Sequence, residues 1–150
     1  MDRREMLKGS AAISLAAFTT LASAADMDMH EHHHHEHALG ADYSALALAA
    51  AHCVNSGEAC IDHCLDLLSQ GDKEMAACAK SVEQVLAACT MLRQLATWKS
   101  AYAPRMATVV MDMCKACEEE CRKHEKKHKE CKDCAESCAA CFKECKAVAI

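Results

Sequence analysis

Five cysteines near the end of the chain are spaced three and four residues apart, at Cys131, Cys134, Cys138, Cys141 and Cys145. Because an α-helix has about 3.6 residues per turn, residues with this spacing lie on one face of a helix. In a helix that packs against others, the face with this spacing is the one that is buried. The spacing therefore predicts a helix whose core-facing side is lined with thiols, which are ligands for soft metal ions.

The rest of the chain from residue 41 onward is rich in residues of high helix propensity and shows no alternation of period two. Asp42 and Asp72 are predicted to cap the first two helices, and Pro104 stands where a third begins. The predicted helices run over 42–69, 73–98, 105–124 and 130–147. Because the connections are short, we expect an all-α fold over residues 41–150, an antiparallel up-down-up-down four-helix bundle with a cysteine-lined core.

On these helices every one of the 13 cysteines falls on a core-facing position. A core of neutral thiols lacks the bulky side chains that normally fill a bundle, and unpaired thiolates are costly to bury. Cu(I) is soft and monovalent, so about one Cu(I) per thiolate leaves no net charge inside. The sequence therefore predicts a store of many Cu(I) ions rather than an enzyme. The predicted ligands are Cys53, Cys60, Cys64, Cys78, Cys89, Cys114, Cys117, Cys121, Cys131, Cys134, Cys138, Cys141 and Cys145.

Other uses of so many cysteines are a disulfide framework, zinc sites and redox catalysis. A disulfide framework fits a small exported protein, but the odd number of cysteines, the scarcity of Gly and Pro and the helical spacing oppose it. Zn(II) prefers closed tetrahedral sites, and four thiolates leave each such site with a charge of about −2. A redox enzyme needs an exposed reactive thiol, whereas these cysteines face inward. The alternative interpretation is a thiol-redox or zinc-thiolate protein of the cell envelope.

One end of the predicted bundle carries the first and third connections and also weaker copper ligands. His63, Met75 and His124 are placed there by the predicted helices. Thioether and imidazole bind Cu(I) less strongly than thiolate, which suits an entry or exit port. His63 and Met75 are the stronger candidates for this port, ahead of His124 and of His128 in the turn.

The N-terminal residues are predicted to be an export signal rather than part of the fold. Residues 1–24 contain Arg3-Arg4, a short apolar run and a small-residue cleavage site, a pattern similar to a twin-arginine export signal to the periplasm or cell envelope. The apolar run is too short for a membrane span. Residues 25–40 are predicted to be a flexible His- and Met-rich tail whose imidazoles can gather Cu(II). The formal net charge of −5 argues against nucleic acid and anionic membranes as partners.

The signal-like N-terminus and the repeated Cys-x2-Cys and Cys-x3-Cys spacings resemble the exported members of the bacterial copper storage protein family. The strongest part is the segment CKDCAESCAACFKEC at 131–145. The resemblance implies a four-helix bundle that stores many Cu(I) ions, usually as a homotetramer, to supply copper enzymes of the envelope or to detoxify copper. A copper-dependent enzyme or chaperone would receive the metal. The thirteen cysteines would be its ligands, and His63 with Met75 would lie at the open end.

Overall fold

The structure is a computed structural model that describes residues 42–150. This part of the chain is all-α and has no strand, as predicted. The predicted signal at 1–24 and the tail at 25–40 lie outside the described residues. The elements are α1 (Ser44–Ser69), a short 3₁₀ helix (Lys73–Met75), α2 (Ala76–Thr97), α3 (Ala103–Arg122) and α4 (Lys129–Val148).

Local side-chain chemistry explains where the helices begin and end. The Asp42 carboxylate accepts a hydrogen bond from the Ser44 N–H at 3.0 Å, and that of Asp72 accepts one from Glu74 N–H at 3.1 Å. Gly71 ends the first helix with a φ of 94°, a left-handed conformation that costs glycine little. Pro104 lies in the first turn of α3, where its missing N–H breaks no helical hydrogen bond.

The four helices form a ring in which each packs against two neighbours. α1 packs on α2 and α4, and α3 packs on the same two helices, whereas within residues 42–150 no Cα atoms of the diagonal helices lie within 8 Å of each other. Short connections reverse the chain three times, which gives the predicted antiparallel up-down-up-down bundle. We call the end with connections 70–72 and 123–128 the histidine end, and the end where α1 begins and α4 finishes the terminal end. None of the described helices is long and apolar enough to cross a membrane.

The core of the bundle is made largely of sulfur. All thirteen cysteine side chains are buried with 0% exposure, which confirms the predicted cysteine-lined core. Toward the terminal end the core becomes aliphatic, with Leu46, Leu92 and Ala107 buried there. Leu67 and His124, near the histidine end, are only partly buried. The thiols therefore occupy the middle of the bundle and its histidine end, and aliphatic side chains close the other end.

α1 and α2 approach closely near their middles, at the only glycine inside a described helix. A Cβ built on Gly57 would lie 2.8 Å from Leu86 Cδ2 and 3.7 Å from Val82 Cγ1. Such a distance is shorter than real Cβ contacts. The absence of a side chain at residue 57 therefore lets the two helices pack against each other.

Candidate metal centre

Thiols from different helices meet across the core. Antiparallel packing brings Cys53 of α1 to 3.6 Å from Cys138 of α4, measured between sulfurs. Further toward the histidine end, Cys78 and Cys121 are 3.5 Å apart. These distances are far longer than the S–S bond of about 2.05 Å. All thirteen cysteines are free thiols, so the structure contains no disulfide framework.

The sulfurs gather into four groups whose members all lie within 4.8 Å of one another. Cys60 and Cys134 each belong to two groups, so the groups are joined rather than separate. Cys53 links the first group to Cys138, and Cys145 lies 4.0 Å from Cys141. All thirteen sulfurs thus form one continuous network. The groups are Cys53, Cys89, Cys114 and Cys141; Cys60, Cys64, Cys78 and Cys131; Cys60, Cys121 and Cys134; and Cys117, Cys134 and Cys138.

These spacings match those of thiolates that share a metal ion. With a metal–sulfur bond of about 2.3 Å, two sulfurs on one ion are about 4.0 Å apart at trigonal angles and about 4.6 Å apart when they lie opposite each other. The sulfur contacts between helices run from 3.5 Å for Cys78 and Cys121 to 4.0 Å for Cys89 and Cys114, which is within about half an ångström of the trigonal value. The network can therefore take up metal ions with only small movements of its side chains.

The thiols also shift one another's acidity. The pKa of Cys53 is lowered because neighbouring thiols, Cys114 first and then Cys138, donate hydrogen bonds to its sulfur. The pKa of Cys138 is raised, because its hydrogen bonds with Cys114 and other thiols favour the protonated form and burial adds to this. Hydrogen bonding with Cys121 and burial raise the pKa of Cys60 in the same way.

These hydrogen bonds thus favour thiolate at Cys53 and the protonated thiol at Cys60 and Cys138. Thiolate is the form that binds metal, so each protonated thiol must lose its proton when it becomes a ligand. A cation that enters the network replaces protons, and the charge in the core stays low. Binding is accordingly coupled to proton release.

The histidine end carries polar groups that border this network. His63 Nε2 and His128 Nδ1 are 2.9 Å apart, and Glu130 Oε2 is 3.7 Å from His63 Nε2. Met75 is fully buried in the short 3₁₀ helix at the same end, and His124 is half-buried. The sequence pattern favours His124 over His128 as a port residue, yet His128 is the histidine that contacts His63. A sequence signal existed: His128 precedes Cys131 by three residues, and His63 precedes Cys64.

The fold and the thiol network define an all-α protein built to hold several soft metal ions in its core. The family model described as Csp, copper storage protein, matches residues 39–150. The chain therefore belongs to the copper storage protein family.

Solved structures agree with this assignment. The Cu(I)-bound copper storage protein BsCsp3 is 26% identical and has a TM-score of 0.65, and the match covers 72% of this chain and 99% of that one. Apo-Csp3, copper storage protein 3 from Bacillus subtilis, is 25% identical with a TM-score of 0.61, and the match covers 71% of this chain and 97% of that one. A comparison with curated proteins finds no match.

Proposed function

We propose that this protein stores many Cu(I) ions on thiolates inside its four-helix bundle. The observation that carries the proposal is the continuous network of thirteen buried free thiols. Family membership and the likeness to a Cu(I)-bound copper storage protein support the same function. The thirteen cysteines are the proposed ligands, with a capacity of about one Cu(I) per thiol and with sulfurs that bridge neighbouring ions.

The geometry favours Cu(I) over Zn(II). Closed zinc sites use four ligands each, and within residues 42–150 the groups of candidate ligands contain cysteine alone. Only two of the sulfur groups have four members, and these two share none. Two zinc ions would therefore leave five thiols without metal, namely Cys117, Cys121, Cys134, Cys138 and Cys145. Low-coordinate Cu(I), which accepts shared thiolates, uses the whole network.

A thiol-redox role is disfavoured by the same burial. A reactive thiol must reach its partner, and every cysteine here is fully buried. We accordingly propose a storage protein without catalytic turnover. Its uses are the supply of copper to an enzyme or chaperone of the envelope and the removal of excess copper.

Cu(I) enters and leaves at the histidine end in this proposal. His63 is about one quarter exposed, so it can meet an ion in solution. Cys64, the next residue, belongs to a four-thiol group. His63 and Met75 are the proposed weak ligands, and the contact of His128 with His63 adds a third candidate. An ion passes from weaker to stronger ligands as it moves inward.

Export and assembly are further parts of the proposal. The twin-arginine-like residues 1–24 support export to the periplasm or cell envelope, and the histidines of residues 25–40 support capture of Cu(II) there. A homotetramer is proposed from the family resemblance. An apolar cleft between α2 and α3 supports self-association, because Met91, Tyr102 and Val109 line it and are each more than half exposed.

Anaerobic titration of the fully reduced protein with a Cu(I)–chelator complex tests the proposal. We expect uptake to continue to about thirteen equivalents, one for each thiol. Ultraviolet-excited luminescence of clustered Cu(I) thiolates should grow with loading. Saturation at one to three equivalents would contradict storage, and stoichiometric uptake of two Zn(II) with no copper cluster would favour the zinc alternative.

A further inference from the structure

The sulfur network narrows at one level of the bundle. There α1 and α2 contribute no thiol, because α1 has Gly57 and α2 has Val82 and Val85 between its two cysteines. Both valines are fully buried. At this level the thiols come only from α3 and α4, as the group Cys117, Cys134 and Cys138. We call this level the waist.

The twelve thiols other than Cys138 fall into two pools, and Cys117 and Cys134 of the waist belong to the near one. The near pool, toward the histidine end, is Cys60, Cys64, Cys78, Cys117, Cys121, Cys131 and Cys134. The far pool, toward the terminal end, is Cys53, Cys89, Cys114, Cys141 and Cys145.

Cys138 is the thiol that touches both pools. Its sulfur lies 3.6 Å from that of Cys53 in the far pool and shares a group within 4.8 Å with Cys117 and Cys134 of the near pool. The thirteen sulfurs form no other group within 4.8 Å, and no other pair within 4.0 Å, that joins the pools. Aliphatic side chains fill the α1–α2 side of the waist and offer no ligand.

We infer that Cu(I) reaches and leaves the far pool by ligand exchange at Cys138, which acts as a relay between two storage pools. This inference rests on the proposed storage function and on entry at the histidine end. In each step an ion held by near-pool thiolates binds the Cys138 sulfur and then releases a near-pool sulfur. The proton that Cys138 loses passes to the released sulfur, and copper stays Cu(I), so charge and electrons balance.

The test compares Cys138→Ala with Cys145→Ala. Each variant removes one buried thiol, but Cys145 lies at the far edge of the network and links nothing beyond it. Both variants are loaded anaerobically while Cu(I) uptake is followed by luminescence. Because the thiols are buried in the folded protein, samples taken at intervals are unfolded in an excess of alkylating reagent, and peptide mass spectrometry identifies the cysteines that held no Cu(I).

We expect Cys145→Ala to load with the time course of the unaltered protein and to lose one equivalent. Cys138→Ala should fill its near pool at the normal rate and its far pool at least about tenfold more slowly, which corresponds to a barrier higher by about 1.4 kcal/mol. Alkylation should then mark Cys53, Cys89 and Cys114 long after the near-pool cysteines are protected. Equal time courses in the two variants would overturn the inference.

A rescue variant separates the relay from a folding defect. Adding Val82→Cys and Val85→Cys to Cys138→Ala extends an unbroken thiol path along α2 from Cys78 to Cys89, since the spacing becomes four, three and four residues. Fast loading of the far pool should return. If it stays slow while circular dichroism shows intact helices, Cys138 is not a relay. If the unaltered protein itself binds only one to three Cu(I), the storage proposal fails instead.

Discussion

The close approach of α1 and α2 at Gly57 predicts whether Gly57→Ala stabilises or destabilises the protein. Replacing glycine by alanine inside a helix stabilises it by roughly 0.5–1 kcal/mol, because alanine loses less backbone freedom on folding. Here the new methyl group would lie 2.8 Å from Leu86 Cδ2 and 3.2 Å from Leu86 Cγ. The second atom is near the root of the Leu86 side chain, so rotation of its tip does not remove the whole clash.

Overpacking of a well-packed contact costs about 1–3 kcal/mol. Subtracting the gain in helix propensity, we expect Gly57→Ala to lower the free energy of unfolding by about 1 kcal/mol. Without the Leu86 side chain the clash is gone, and the remaining contact with Val82 at 3.7 Å is an ordinary one. In a Leu86→Ala background the same change should therefore stabilise the protein by roughly 0.5–1 kcal/mol.

Urea unfolding of the reduced, metal-free protein, followed by circular dichroism, measures all four members of this cycle. We expect Gly57→Ala to destabilise the otherwise unaltered protein and to stabilise the Leu86→Ala protein. Stabilisation by Gly57→Ala in the otherwise unaltered protein would refute the reasoning, because it would mean that the helices do not meet closely at this residue.

Two further predictions concern the acidity of the buried thiols and the site at which Cu(I) enters. The raised pKa of Cys60 and Cys138 means that their protonated forms support the fold below the unfolded-state value of 9.0, and that this support is lost at higher pH. In urea unfolding of the metal-free protein, the free energy of unfolding should accordingly fall by about 1.4 kcal/mol per pH unit for each such thiol above about pH 9. Equal stability at about pH 9 and 10.5 would contradict the pKa shifts. His63→Ala should slow Cu(I) uptake and leave the copper capacity unchanged, whereas His52→Ala, at an exposed residue, should alter neither. Stopped-flow luminescence compares the uptake rates of the two variants. Equal rates would mean that Cu(I) does not enter at His63.

Local periodicity made much of the fold predictable. The spacing from Cys131 to Cys145 specifies a helix and its buried face, since both follow from 3.6 residues per turn. Breaks at Gly71, near Pro104 and at 123–128 give four helices, and short connections make neighbouring helices antiparallel. Burial of the thirteen thiols follows from these two steps.

Contacts between helices could not be predicted in the same way. The pairing of Cys53 with Cys138 depends on how far each helix is shifted and rotated against its neighbours, which the summed packing of all side chains decides. The contact between His63 and His128 joins a helix to a turn, so the spacing of each histidine to its nearest cysteine does not show that the two histidines meet. A glycine inside a helix weakens it, and only the position of Leu86 shows that Gly57 permits close packing.

Native mass spectrometry of the protein, before and after anaerobic loading, tests the central claim most directly, because it reports metal count, disulfides and assembly together. We predict a metal-free mass with all thirteen thiols reduced, and a loaded mass higher by about thirteen copper ions per chain. A loaded protein that holds one to three ions, or a fresh native sample whose cysteines are already joined as disulfides, would contradict the account.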